Sequence, residues 1–125
     1  MRIPVTFADR ELEELIANLC RCGAAAKING HRVPVSHTII IGRLTRDLES
    51  ARRSKRDPIP LTFFETEVID IEAVLLLMAA TLEKAPNPTA DLQKTTENCF
   101  MLAGKLGDAR RSAHEAKAAK ARWWP

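Results

Sequence analysis

The longest apolar run of the chain lies within residues 58–86 and predicts its central helix. Val68, Ile69 and Ile71 lead into residues 73–80, which include no polar side chain. A helix that is apolar on nearly every side is buried, either within its own chain or between subunits. Acidic residues and a threonine bound the run and leave it shorter than the roughly 20 apolar residues that a membrane span needs. We therefore expect a buried core helix and no membrane partner.

Two amphipathic helices precede this central helix. The first is predicted to end at Gly23, because glycine suits the left-handed conformation that follows a helix. The second follows Pro34, with Ser36 as its cap, and runs to about Lys55. Their buried stripes follow from apolar spacings of three and four: Leu12, Leu15, Ile16, Leu19 and Cys20 in the first, and Ile40, Ile41, Leu44, Leu48 and Ala51 in the second.

The predicted connection between these two helices is about thirteen residues long, more than the usual two to eight. It contains Asn29-Gly30, a strong signal for a two-residue turn, so residues 26–28 and 31–33 are predicted to form a small β-hairpin. Lys27, His31 and Arg32 would lie near its tip. The segment is either a connector shaped by its turn residues or a contact loop held on a rigid scaffold.

The last helix is predicted to start at Asn87-Pro88, with the asparagine as cap and proline at the first helical position. Its seam places Leu92, Cys99, Leu106 and Ala113 seven residues apart, with Leu102, Ala109 and Ala116 interleaved. Gly104 and Gly107 each weaken the helix by about 1 kcal/mol relative to alanine. A kink or a break is therefore expected between residues 104 and 108.

An internal repeat organises the chain. Residues 3–7 read IPVTF and residues 59–63 read IPLTF, and the segments align for about eighteen residues at an offset of 56. Each segment is predicted to open a helix, with Thr62 and Glu65 as a capping box and Thr6 and Asp9 as a weaker version. The predicted fold is all-α: a four-helix bundle of two duplicated helical hairpins in a single domain, residues 1–125, with pseudo-repeats 1–57 and 58–125.

Composition supports a folded domain with an uneven charge. The 125 residues are 46% hydrophobic and carry a formal net charge of +3, enough chain to bury a core without disulfides. Three cysteines, an odd number, and the absence of a secretory pattern predict free thiols and a cytoplasmic location. Two segments, 43–56 and 105–122, each hold six cations against two acids.

The sequence contains no good motif for metal binding or for catalysis. Cys20, Cys22, His31 and His37 are four soft ligands with poor spacing for zinc, and Cys20 falls on a buried stripe. Carboxylates cluster at the start of the central helix, at Glu65, Glu67, Asp70 and Glu72. They could serve acid/base chemistry or stabilise the helix dipole, and no histidine is expected near this cluster. We expect a non-enzymatic protein with no cofactor and no metal.

The apolar surface of the central helix predicts self-association. Three partner helices are too few to cover it on all sides, so a second chain is expected to cover the rest, with a homodimer as first choice. The expected function is that of a protein-binding module, such as an adaptor, an inhibitor or an accessory protein. The contact candidates are Lys27, His31, Arg32, Trp123 and Trp124; the two tryptophans either anchor an interface or fold back onto their own bundle.

The alternative function is DNA or RNA binding through the basic helices. Cations on a helix can follow a phosphate backbone, but they also stabilise helix C-termini and keep a surface soluble. The nucleic-acid candidates are Arg43, Arg46, Arg52, Arg53, Arg110 and Arg111.

Overall fold

The computed structural model describes residues 1–28, 35–54 and 58–123, without the side chains of residues 22–28, 35–41, 43 and 44. Its elements, in chain order, are β1 (Arg2–Phe7), α1 (Asp9–Ile28), α2 (Val35–Arg53), β2 (Ile59–Phe64), α3 (Glu65–Glu83) and α4 (Ala90–Trp123). The described part of the chain is mostly helical, with four helices as predicted, and it includes a two-stranded antiparallel sheet.

This sheet corrects the all-α assignment, because the IPVTF and IPLTF segments are strands and not helix starts. β1 and β2 pair with Ile3 opposite Phe63 and Phe7 opposite Ile59. Side chains along a strand alternate between faces. The apolar residues at every second position of β1, which include Val5, therefore all point toward the core, where each is buried.

The core lies between the inner face of this ribbon and the helices. The rings of Phe7 and Phe63 meet edge to face, with centroids 6.4 Å apart, an arrangement that suits the positive edge and negative face of aromatic rings. Each of α1, α3 and α4 contributes one buried stripe: Leu12, Leu15, Ile16 and Leu19; Val68, Ile71, Leu75 and Ala79; and Cys99, Leu102, Ala103 and Leu106.

Helix α1 passes through Gly23 and ends at Ile28, so the predicted stop at Gly23 was wrong. Glycine lowers helix propensity by about 1 kcal/mol, and the flanking alanines at 24–26 favour continuation. The connection to α2 shortens to residues 29–34, an ordinary length. Residues 26–28 are helical and not strand. The predicted turn at Asn29-Gly30 lies outside the described residues.

The starts of α3 and α4 also differ from prediction. α3 begins at Glu65, after the strand, so the predicted capping pair does not form; the Glu67 carboxylate instead accepts the N–H of Phe64 at 3.0 Å. Asn87 has φ 89° and belongs to the turn before α4. The Thr89 hydroxyl caps α4 by accepting the N–H of Leu92 at 3.2 Å.

Helix α4 is continuous across its glycines, so it does not break between residues 104 and 108. Leu102, Ala103 and Leu106 surround these positions in sequence and are buried in the core. Their packing stabilises the helix more than two glycines weaken it, since burying one leucine contributes about 1.5–3 kcal/mol. The predicted seam is confirmed at Cys99, Leu102 and Leu106, which are fully buried.

Helix α3 is buried on one side only within a single chain. Ile69 is 43%, Leu76 46% and Leu77 65% exposed, so a single chain leaves part of this helix uncovered, and whether a second chain covers it stays a prediction. No helix within the described ranges is long and apolar enough to cross a bilayer.

Candidate functional site

The outer face of the β1–β2 ribbon is a small exposed surface with mixed chemistry. Because side chains alternate, the residues between the buried ones point away from the core. All six are exposed: Arg2, Pro4, Thr6, Pro60, Thr62 and Phe64. The guanidinium of Arg2 lies 5.6 Å from the centroid of the Phe64 ring, the residue directly opposite. We call this surface the ribbon face.

Two prolines restrict what the ribbon can pair with. Pro4 lies opposite Thr62 and Pro60 opposite Thr6. Proline lacks the N–H that an adjoining strand would need, and it is tolerated in sheets only on edge strands. Among the described residues both strands of this ribbon are edges, so each proline removes a donor from an edge without breaking the ribbon. Addition of a third strand is therefore disfavoured.

The pairing of the ribbon is symmetric under exchange of the two aligned segments. Ile3 lies opposite Phe63, and the aligned residue Ile59 lies opposite Phe7. The same offset relates the helix starts: Glu11 accepts the N–H of Ala8 at 2.9 Å, as Glu67 accepts that of Phe64. The ribbon thus has a local pseudo-twofold axis at the pair formed by Val5 and Leu61.

One end of the ribbon is held by a lysine from α4. The Lys105 ammonium donates to the Glu11 carboxylate at 2.7 Å and lies 5.1 Å from the Phe7 ring centroid. Burial raises the pKa of Glu11, but hydrogen bonds from Lys105 and the Ala8 N–H outweigh it, so this pKa lies below its ordinary value. The contacts fix the junction of β1 and α1 against α4.

The other end of the ribbon adjoins a basic helical extension. His114 of α4 contacts the carboxylate of Glu65, the residue that directly follows β2. This hydrogen bond holds the pKa of Glu65 below its ordinary value. From His114 onward every described side chain of α4 is exposed. We call residues 114–123 the C-terminal arm; its cations are Lys117, Lys120 and Arg122, against the single acid Glu115.

Two of the predicted nucleic-acid arginines form ion pairs with acidic residues of other helices. Arg52 pairs with Asp9 at 3.1 Å and with Glu13 at 3.2 Å, and the hydrogen bond with Asp9 raises its pKa. Arg110 pairs with Glu72 at 2.9 Å. These partners are distant in sequence, so charge counting along the chain could not find them.

The remaining arginine candidates lie on α2 and α4. Arg46 and Arg53 are exposed on α2, and Arg111 lies 3.5 Å from the exposed Asp108. The side chain of Arg43 lies outside the described residues. Arg53 lines an open pocket together with Arg52, Asp9 and Glu49, whose opposite charges balance. The candidates with described side chains fall into two groups, three on α2 and two on α4.

The structure does not describe the side chains of most of the protein-contact candidates. Lys27 lies in the last turn of α1, but its side chain is outside the description, as are His31, Arg32 and Trp124. Trp123 is 84% exposed at the end of the C-terminal arm, so it does not fold back onto the helices. Whether it contacts a partner stays a prediction.

The carboxylates at the start of α3 make contacts within the chain that hold the fold together. Glu65 contacts His114, the histidine that sequence spacing placed far away, while Glu67 accepts a backbone N–H and Glu72 pairs with Arg110. Among the described residues, no group of three or more His, Cys, Asp or Glu side chains is placed to hold a metal ion.

Cys20, one of the predicted soft ligands, is exposed, so its assignment to the buried stripe of α1 was wrong. Cys99 is buried, and burial raises the pKa of its thiol. A buried thiol with a raised pKa is a poor nucleophile because its thiolate is scarce.

Comparisons with protein-family models, with curated proteins and with solved structures return no match for this chain. The ribbon face and the exposed helical surfaces are therefore the features of the chain that bear on its function.

Proposed function

We propose that the protein binds double-stranded DNA with the ribbon face in the major groove. The observation that carries this proposal is a two-stranded antiparallel ribbon whose inner face is buried and whose outer face is exposed and polar at Arg2, Thr6 and Thr62. The proposal retains DNA binding, the alternative function suggested by the sequence. It assigns the main contacts to the strands instead of the basic helices.

The dimensions of the ribbon suit the major groove. Two strands lie about 4.8 Å apart, and with their side chains they fit a groove about 12 Å wide, whereas the minor groove, at about 6 Å, is too narrow. Alternate residues are spaced about 6.8 Å along a strand, close to two base-pair steps of 3.4 Å. The three outward positions of each strand would therefore span about four to five base pairs.

The ribbon face also has suitable chemistry for base edges. Arginine can donate two hydrogen bonds to guanine, a threonine hydroxyl can donate or accept, and a phenyl ring can contact the thymine methyl group. Arg2, Thr6, Thr62 and Phe64 provide these groups on one exposed surface. Pro4 and Pro60 keep that surface two strands wide, so it stays narrow enough to enter the groove.

The C-terminal arm supports the proposal by adding positive charge at one end of the ribbon. It extends from the contact between His114 and Glu65, next to the end that holds Arg2. Its cations, Lys117, Lys120 and Arg122, would contact backbone phosphates, which fix position without reading sequence. These three phosphate contacts should make the affinity fall with salt at a log–log slope of about −2.7.

The test is fluorescence anisotropy with a duplex of about 30 base pairs at about 50 mM salt. Thr6→Glu places a carboxylate in the groove and is expected to weaken binding at least tenfold, about 1.4 kcal/mol. The matched control is Thr81→Glu, the same substitution at an exposed position near the end of α3, and it should stay within about twofold of wild type. Lys120→Ala should reduce the salt slope by about 0.9.

An RNA duplex of the same sequence separates groove entry from general charge attraction. The A-form major groove is deep and narrow, so the ribbon should not enter it, and binding should be at least tenfold weaker. Equal binding of both duplexes, or equal binding by wild type and Thr6→Glu, would refute the proposed mode.

A further inference from the structure

We infer that a second copy of this chain docks on the exposed apolar side of α3, which gives the expected homodimer a defined surface. Ile69, Leu76 and Leu77 are 43%, 46% and 65% exposed on this helix. Ala73 and Ala80, also exposed, complete a stripe with spacings of three and four. Such a stripe is typical of a helix face that another helix covers.

Helix α4 adds one aromatic side chain to this surface. Phe100 is 44% exposed and lies seven residues before Gly107, which faces Glu72 of α3. Residues seven apart share a helix face, so Phe100 is on the side of α4 that adjoins α3. The helices run antiparallel, since Glu65 contacts His114 and Glu72 contacts Arg110, which places Phe100 about level with Ala80. We call the stripe together with Phe100 the outer apolar face.

The charge pattern of α3 favours a second copy as the occupant. In an isologous dimer each residue near the axis meets its own counterpart, so a charged stripe would bring like charges together. The stripe from Ile69 to Ala80 has no charge at its five positions. The first turn of α3 is acidic, and Lys84 follows Ala80 at helical spacing. Antiparallel docking therefore places Lys84 of each copy beside the acidic turn of the other.

The size of the outer apolar face sets the expected strength of the dimer. Four half-exposed large side chains form a patch on the order of 400 Å², within the range of the largest patch on a typical monomer. A standard stable interface buries about 800 Å² per partner. We therefore expect a dimer that dissociates on dilution, with a dissociation constant on the order of micromolar.

The test is the oligomeric state of the full chain, measured by light scattering on a size-exclusion column from about 1 to about 100 µM. Wild type should change from monomer to dimer across this range. Leu77→Glu should stay monomeric throughout, because the substitution would bury a carboxylate without a partner in the apolar interface. Since Leu77 is 65% exposed, the substitution should leave the circular dichroism spectrum unchanged. Ile69→Lys provides a second disrupting variant at the other end of the stripe.

Met101→Glu is the matched control. Met101 is an apolar residue of α4 with 48% exposure, but it precedes Lys105 by one helical turn and so lies on the side that faces α1. The Met101→Glu variant should dimerise as wild type does. A wild type that stays monomeric at about 100 µM, or a Leu77→Glu variant that dimerises normally, would overturn the inference. DNA binding by monomeric Leu77→Glu tests the proposed function separately, because the ribbon face is unchanged in this variant.

Discussion

The edge-to-face contact of Phe7 and Phe63 joins the two strands and allows a quantitative test of the ribbon. Their ring centroids are 6.4 Å apart and both rings are buried. Replacing either one by leucine keeps an apolar side chain of similar volume, so each single variant should lose about 1–1.5 kcal/mol of stability. Edge-to-face pairs contribute about 0.5–1.5 kcal/mol beyond burial, so the double variant should lose less than the sum of the two single losses.

The assay is a double-mutant cycle from urea unfolding, followed by circular dichroism at low protein concentration. The expected coupling energy is about 0.5–1.5 kcal/mol. A second cycle pairs Phe7→Leu with Phe100→Leu, at a half-exposed position of α4, and its effects should add within about 0.3–0.5 kcal/mol. A coupling between Phe7 and Phe63 within that additive range would contradict the edge-to-face contact between their rings.

Three further outcomes follow from individual side chains. Gly104→Ala should raise stability by about 0.5–1 kcal/mol in thermal unfolding, because the added methyl group meets no atom within 4 Å. The folded-state pKa of Glu65 lies below the ordinary 4.5. The stability that this carboxylate contributes is therefore present above pH 4.5 and is lost as the pH falls through the folded-state pKa. Glu65→Gln should flatten the dependence of the unfolding free energy on pH in this acidic range. With Cys20 and Cys22 replaced by serine, the buried Cys99 should react with a thiol reagent only as fast as the protein opens, and rapid labelling in folding buffer would contradict its burial.

The helices were predictable because their apolar spacing depends on local sequence. Leu12, Leu15 and Leu19 repeat at three and four residues and are all fully buried, as expected. The strands were missed although Ile3, Val5 and Phe7 alternate with period two, the usual strand signal. Proline within such a pattern argues against a central strand. In a two-stranded ribbon every strand is an edge, so that objection does not apply.

The candidate site was less predictable, because the fold pairs charged residues that are distant in sequence. Net charge along the sequence favoured Arg52 and Arg110, but the fold places Asp9 and Glu72 beside them. The ribbon face has little charge of its own, so composition gave no sign of it. Period-two alternation in both aligned segments was the signal that would have found it.

The ribbon makes the two halves of the chain depend on each other. The described partner of β1 is β2, more than fifty residues later in the sequence. An isolated two-stranded ribbon is at best marginally stable, so this one depends on burying Ile3, Phe7 and Phe63 against helices from both halves. Neither half can therefore form the ribbon face alone. Any function of this surface, DNA binding included, requires the pairing of distant segments, and variants that weaken the core beneath it should weaken binding without touching an exposed residue.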